Sequence, residues 1–132
     1  MVRSLVRRRV PVAPGARDVL LRAGVRDLAH VHGVRAEDHY CRIHLVGGQS
    51  LLVLARFADT LAELAGIDGE QVHRGAWAAA AGVDGAVRDG RAWRLVLADG
   101  TRLPVSASYA ARVRARGWLR TKPTILSKTG VA

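Results

Sequence analysis

The side chains with reactive or ligating chemistry in this 132-residue chain are five histidines, one cysteine and a large excess of arginine. Catalysis would need a nucleophile beside a base, paired acids in a pocket, or metal ligands at workable spacing. His30-x-His32 would set two imidazoles on one strand face, and with His44 could imitate a metal site. The chain offers neither a cysteine pair nor a His-Glu-x-x-His helix motif, so surface or hydrogen-bonded histidines are the simpler reading of His30, His32, His39, His44 and His73. Glu37 and Asp38 are adjacent and in a strand would point to opposite faces, which disfavours a carboxylate dyad. No enzyme is therefore expected, and no metal or cofactor is called for. What remains is recognition chemistry: arginine can donate two hydrogen bonds to guanine O6 and N7, and histidine one to a base edge.

The distribution of charge says where such chemistry would act. The formal net charge is +10 and the isoelectric point about 11.4. Residues 1–26 carry Arg3, Arg7, Arg8, Arg9, Arg17, Arg22 and Arg26 against Asp18, a net of +6. Residues 112–132 carry Arg112, Arg114, Arg116, Arg120, Lys122 and Lys128 without an acid, again +6, whereas residues 27–111 carry −2. A nearly neutral body between basic flanks suits a nucleic-acid reader whose arms grip phosphate while a few body residues touch bases. The competing reading is a plain compositional bias toward Arg, Ala and Gly.

The length suits one domain, able to bury roughly two-thirds of the surface its unfolded chain would expose. Cys41 is the single cysteine, so no intramolecular disulfide can form and a cytoplasmic site is the default expectation. No uncharged run, Ala76 to Val83 among them, reaches the roughly 20 residues that cross a bilayer, so no membrane partner is expected. Residues 1–24 read as a basic N-terminal arm without regular structure, given Pro11, Pro14 and Gly15, and residues 121–132 as a basic tail.

Turn signals organise the middle. Gly47-Gly48, Asp89-Gly90 and Asp99-Gly100 each supply a two-residue signal for a tight hairpin and argue for antiparallel sheet. Cys41, Ile43 and Leu45 alternate with polar neighbours, as Trp93, Leu95 and Leu97 do, which predicts strands with one buried face and Trp93 as a core anchor. Phe57, Leu61 and Leu64 predict a short helix ending at Gly66. A second helix is predicted from Ser106, its hydroxyl capping the first turn, through Val113 to Arg116 before Gly117, with Trp118 and Leu119 folding back on the body. Arg56, between a strand and the first helix, is a candidate phosphate ligand. Ala76–Ala81 reads as helix by propensity alone.

One ordered series of residues goes beyond packing: Glu37-Asp38-His39-Tyr40, Val72-His73-Arg74, Leu97-Ala98-Asp99-Gly100, and Leu103-Pro104-Val105-Ser106 ahead of Tyr109. It resembles the LytTR family, the DNA-binding output domain of many bacterial response regulators, over about residues 25–119. The resemblance implies a mainly β fold, an elongated stack of antiparallel sheets with one short helix and a C-terminal helix, that reads DNA through loops. It implies DNA contacts at His39 and Arg74 and at the start of the last helix (Ser106, Ser108 and, beyond them, Arg112), a buried, hydrogen-bonded structural role for His73, and a short turn and a strand toward Val83 and Val87 in place of an alanine helix. It also implies double-stranded DNA as partner, with a weak homodimer on repeated half-sites. Gly75, Ala76–Ala81 and Ala107-Ser108 depart from the family pattern, each removing a polar group that could touch DNA.

Two functions follow as expectations: a sequence-specific transcription regulator, or a module of the same fold that docks on a protein partner through exposed Trp77 or Trp118 and binds DNA only feebly.

Overall fold

Two antiparallel arrays share the strands that the glycine turns delimit. The computed structural model describes residues 9–10 and 18–121. In chain order the elements are β1 (Arg9–Val10), α1 (Val19–Arg22), β2 (Val31–Glu37), β3 (Tyr40–Leu45), β4 (Ser50–Leu54), α2 (Phe57–Glu63), β5 (Gly69–His73), β6 (Ala76–Ala79), β7 (Val83–Asp89), β8 (Ala92–Leu97), β9 (Arg102–Val105) and α3 (Ala107–Ala115). One sheet has the order β1-β4-β3-β2-β6-β5 and the other β7-β8-β9, so the fold is mainly β, as expected. All pairings are antiparallel except β1 with β4, where Arg9 is opposite Leu52 and Val10 opposite Val53.

The expected hairpin turns form where the sequence placed them. Gly47 (φ 88°), Gly48 (φ 84°), Gly90 (φ 66°) and Gly100 (φ 91°) occupy the left-handed region that a side chain disfavours. The six-stranded sheet then uses both faces. On one face Val34, Cys41, Ile43, Val53 and Trp77 are buried in a first core with α1 and Leu64, and Phe57 and Leu61 of α2 lie partly buried against it. On the other face Val72, Ala76 and Ala78 meet Leu95, Leu97 and Leu103 of the second sheet and Val113 of α3 in a second core. Each fully buried leucine there contributes about 1.5–3 kcal/mol.

Several expectations are corrected. Ala76–Ala79 is a fully buried strand, not a turn or a helix; only Ala80–Gly82 is a 3-10 turn, and the strand expected toward Val83 and Val87 follows it as β7. Small side chains are required here because both faces of β6 are covered: a Cβ on Gly69 of the neighbouring strand would collide with the Trp77 ring and come within 2.7 Å of the Ala78 carbonyl. Trp77 is thus a core residue, 6% exposed, and not a docking anchor. Trp118 and Leu119 fold back on the second core as expected, and Arg116 lies 5.1 Å over the Trp118 ring. Trp93 sits at the rim of that core, half-buried with Arg88 4.8 Å over its ring, while Leu95 and Leu97 anchor the strand.

The part of the expected N-terminal arm from Asp18 to Gly24 belongs to the body. Val19, Leu20 and Ala23 are buried in the first core, and the Glu63 carboxylate at the end of α2 accepts from the Val19 and Leu20 amides at 2.7 and 3.0 Å. The other residues of the expected arm, apart from the β1 pair, and the tail beyond Thr121 lie outside the described residues.

Candidate nucleic-acid interface

Register decides which loops meet. Glu37 pairs with Tyr40, Tyr40 with Leu54, and Arg35 with Ala76, which in turn pairs with His73. The β2–β3 loop (Asp38-His39), the exit of β4 toward Arg56 and the β5–β6 loop (Arg74-Gly75) therefore all stand at one end of the six-stranded sheet. From β4 to β5 this end spans four strand spacings, about 19 Å. The start of α3 joins the same end, since Ser106 donates its backbone N–H to the Val72 carbonyl at 3.0 Å, next to His73. His39, Arg56, Arg74 and Ser108 are exposed there. Arg112 is also exposed, one turn along α3, with its guanidinium 5.7 Å over the Tyr109 ring.

The two hairpin loops are held, not loose. Arg42 donates to both oxygens of Glu37 at 2.7 and 3.2 Å, a forked pair that clamps the base of the His39 loop, while Asp38 takes φ 58° at its tip. In the Arg74 loop the Gln71 amide donates to the His73 carbonyl at 3.1 Å, and the Gly75 N–H donates to His73 Nδ1 at 3.0 Å. The Gly75 carbonyl accepts from Ala36 N–H at 2.8 Å, tying this loop to β2. Fixed loops lose less entropy when they bind.

His73 is hydrogen-bonded, as expected, but half-buried and not buried. Its Nδ1 accepts a hydrogen bond from the Gly75 N–H, so the neutral ring carries its own proton on Nε2. Burial first, then the charges of Arg35 and Arg74, pull this imidazole below its ordinary value, so it is neutral at pH 7. Arg74 projects without an ion pair among the described residues, whereas Arg116 is taken up by Asp68, Glu70 and the Gly69 carbonyl at 2.8–3.1 Å. One expectation fails: Ser106 is the N-cap of α3 by position, but its hydroxyl makes no capping hydrogen bond, and its buried Oγ has no partner among the described residues.

The histidines do not converge. His30 lies in a 3-10 turn 3.9 Å from Asp27, at the opposite end of the sheet from His39 and His73, and His44 stands near Asp99. Among the described residues no group of three or more His, Cys, Asp or Glu is placed to hold a metal ion. No helix of the described residues is long and apolar enough to cross a membrane.

The family model of the LytTr DNA-binding domain matches residues 25–118. The chain belongs to the LytTR family. A solved structure, the LytTr DNA-binding domain of a response regulator from Bacillus cereus, superposes with a TM-score of 0.57 at 19% identity, covering 67% of this chain and 81% of that one. At that identity the likeness speaks for the fold. No curated protein matches. Within this LytTR domain, Arg35 and Gln71 are residues of the candidate site that sequence reasoning passed over. Both lie inside strands: the pairing of β2 with β6 brings Arg35 beside the Arg74 loop, and Gln71 reaches it from β5 itself, across the bulge before His73.

Proposed function

We propose that this LytTR protein is a sequence-specific binder of double-stranded DNA that regulates transcription, and that it acts as a binder and not as an enzyme. The observation that carries the reading is the gathering of His39, Arg56, Arg74 and the start of α3 at one end of one sheet, on loops fixed by hydrogen bonds. Arg74 reads a base edge and His39 a second one, while Arg56 and Arg112 hold phosphates. The basic flanks add a sequence-independent grip. A forked arginine contact to guanine is worth about 1–3 kcal/mol of discrimination.

Arg74→Ala is then expected to weaken a selected cognate duplex by about tenfold or more while barely changing affinity for random duplex. Fluorescence anisotropy on the two duplexes checks this, and equal losses on both would remove Arg74 as a reader. The protein-docking alternative loses its main support because Trp77 is buried and Trp118 is packed on the second core.

A further inference from the structure

The second sheet brings one more loop to the reading end. Val105 at the end of β9 pairs with Trp93 of β8, and Trp93 pairs on its other side with Arg88 of β7. The tip of the β7–β8 hairpin, Gly90-Arg91, therefore lies level with the exit of β9, within two strand spacings of Ser106, about 10 Å. Ser106 is the residue whose N–H ties the start of α3 to the Val72 carbonyl. Arg91 thus stands beside the first turns of α3, and the two enclose an open concavity of about 210 Å³ lined by Arg91, Ala92, Trp93, Val105, Ala107 and Ala110.

Charge and exposure single out Arg91 within the hairpin. Residues 88–94 hold Arg88, Arg91 and Arg94 against Asp89, a net of +2. Arg94 donates to Asp89 at 2.9 Å and Arg88 lies 4.8 Å over the Trp93 ring, so two of the three cations have a fixed place. Arg91 is exposed and makes no hydrogen bond, ion pair or ring contact among the described residues. The rest of the lining is apolar and contains no acid, and the Trp93 Nε1 is itself buried, so the floor offers no side-chain group to a base edge. A free cation at the rim of a small apolar floor matches one unit of a nucleic-acid backbone, a phosphate joined to a sugar. The chain also leaves the second sheet in the same direction. Ala86 donates its N–H to the Arg120 carbonyl at 2.9 Å and is bridged in parallel to Thr121. At Thr121 the chain therefore runs as β7 does, toward the hairpin tip, with Lys122 next in sequence.

We propose that the β7–β8 hairpin is a further DNA contact, in which Arg91 holds a backbone phosphate and the floor between the hairpin and α3 takes the attached deoxyribose. The inference rests on the DNA-binding reading above and extends the footprint from the six-stranded sheet to the second one. The contact carries no base information: it fixes the register at which the start of α3 and Arg74 meet the duplex.

The test uses the full chain with Arg91→Gln and, as a control, Arg102→Gln, which removes the same charge from an exposed position at the far end of β9. Thermal unfolding by circular dichroism verifies that both are folded. Arg91→Gln is expected to weaken cognate and random duplex alike, by about fivefold at near-physiological salt, and to lower the slope of log affinity against log salt by about one. Hydroxyl-radical footprinting, which reads the accessibility of each deoxyribose, should show one protected block of the wild-type footprint lost in Arg91→Gln, with the selected motif unchanged. Arg102→Gln should keep the wild-type slope and footprint.

An unchanged slope and footprint in Arg91→Gln, with Arg74→Ala still selective for cognate duplex, would overturn the hairpin contact and leave the DNA reading standing. Equal losses in Arg91→Gln and Arg102→Gln would overturn a local contact in favour of the general positive field. A changed motif in Arg91→Gln would overturn the backbone role and make Arg91 a base reader. No binding of any duplex by wild-type protein would overturn both the contact and the DNA reading.

Discussion

Arg74 can serve as a reader because its neighbours have settled where it stands. Gln71, His73 and Ala36 fix the backbone of the loop, so the guanidinium moves on its own stem and not on a drifting hairpin. The residue types at His39 and Arg74 were legible in the sequence, since few side chains offer base-edge hydrogen bonds. The hydroxyl of Ser106 was misjudged because a capping residue type fixes only the position of the helix start, not the rotamer. Arg35 and Gln71 were not legible, because their neighbours come from strands about 40 residues away or from a bulge in β5. The His39 loop supports a prediction in pH. Hydrogen bonds from Arg42 hold the Glu37 carboxyl below its ordinary value. A carboxyl lowered on folding stabilises the native state above its unfolded pKa, and that contribution disappears as pH falls through the folded one. Glu37→Gln should therefore be less stable than wild type at pH 7, by well under 1 kcal/mol for so exposed a pair, and the two should converge below about pH 4. Urea unfolding at pH 7 and pH 3 checks this; a gap that persists at pH 3 would mean the ion pair is not its cause.

At the scale of elements, strands and hairpins with clear glycine turns were legible, as were α2 and α3, because each pattern is local. The alanine run was not, since intrinsic propensity favours helix and only burial on both faces of the sheet selects strand. The start of α1 was hidden for a related reason. Four helical residues have little stability of their own, and what fixes them is a carboxylate more than 40 residues away: Glu63 accepts from the amides of Val19 and Leu20. A helix N-terminus also favours negative charge. Glu63→Ala should cost about 0.5–2 kcal/mol, in the range of a lost cap, and should speed hydrogen exchange at Val19 and Leu20 more than at Ile43 in the sheet. Equal acceleration at all three sites would show that Glu63 serves general stability and not the docking of α1.

At the scale of the whole molecule, the two cores place sheet, second sheet and α3 so that one end of the body is free of apolar cover and lined by loops. The flanks outside residues 27–111 hold all of the excess positive charge. Grip and reading are thereby separated: charge in the flanks supplies affinity that salt erodes, and the loops supply discrimination. The departures at Gly75, Ala76–Ala81 and Ala107-Ser108 fit this division. Ala76, Ala78 and Ala79 are buried in β6, so that part of the change belongs to packing and not to the base code, whereas Ala80 and Ala81 lie in the 3-10 turn that follows. The measurement that tests the account most directly is selection of bound sequences from a randomised duplex library, repeated at low and near-physiological salt. The account predicts an enriched motif that survives the higher salt, and that is lost or relaxed at a defined position when Arg74→Ala is used. Retained DNA without a motif, with affinity collapsing as salt rises, would contradict it and reduce the protein to a generic binder of phosphate.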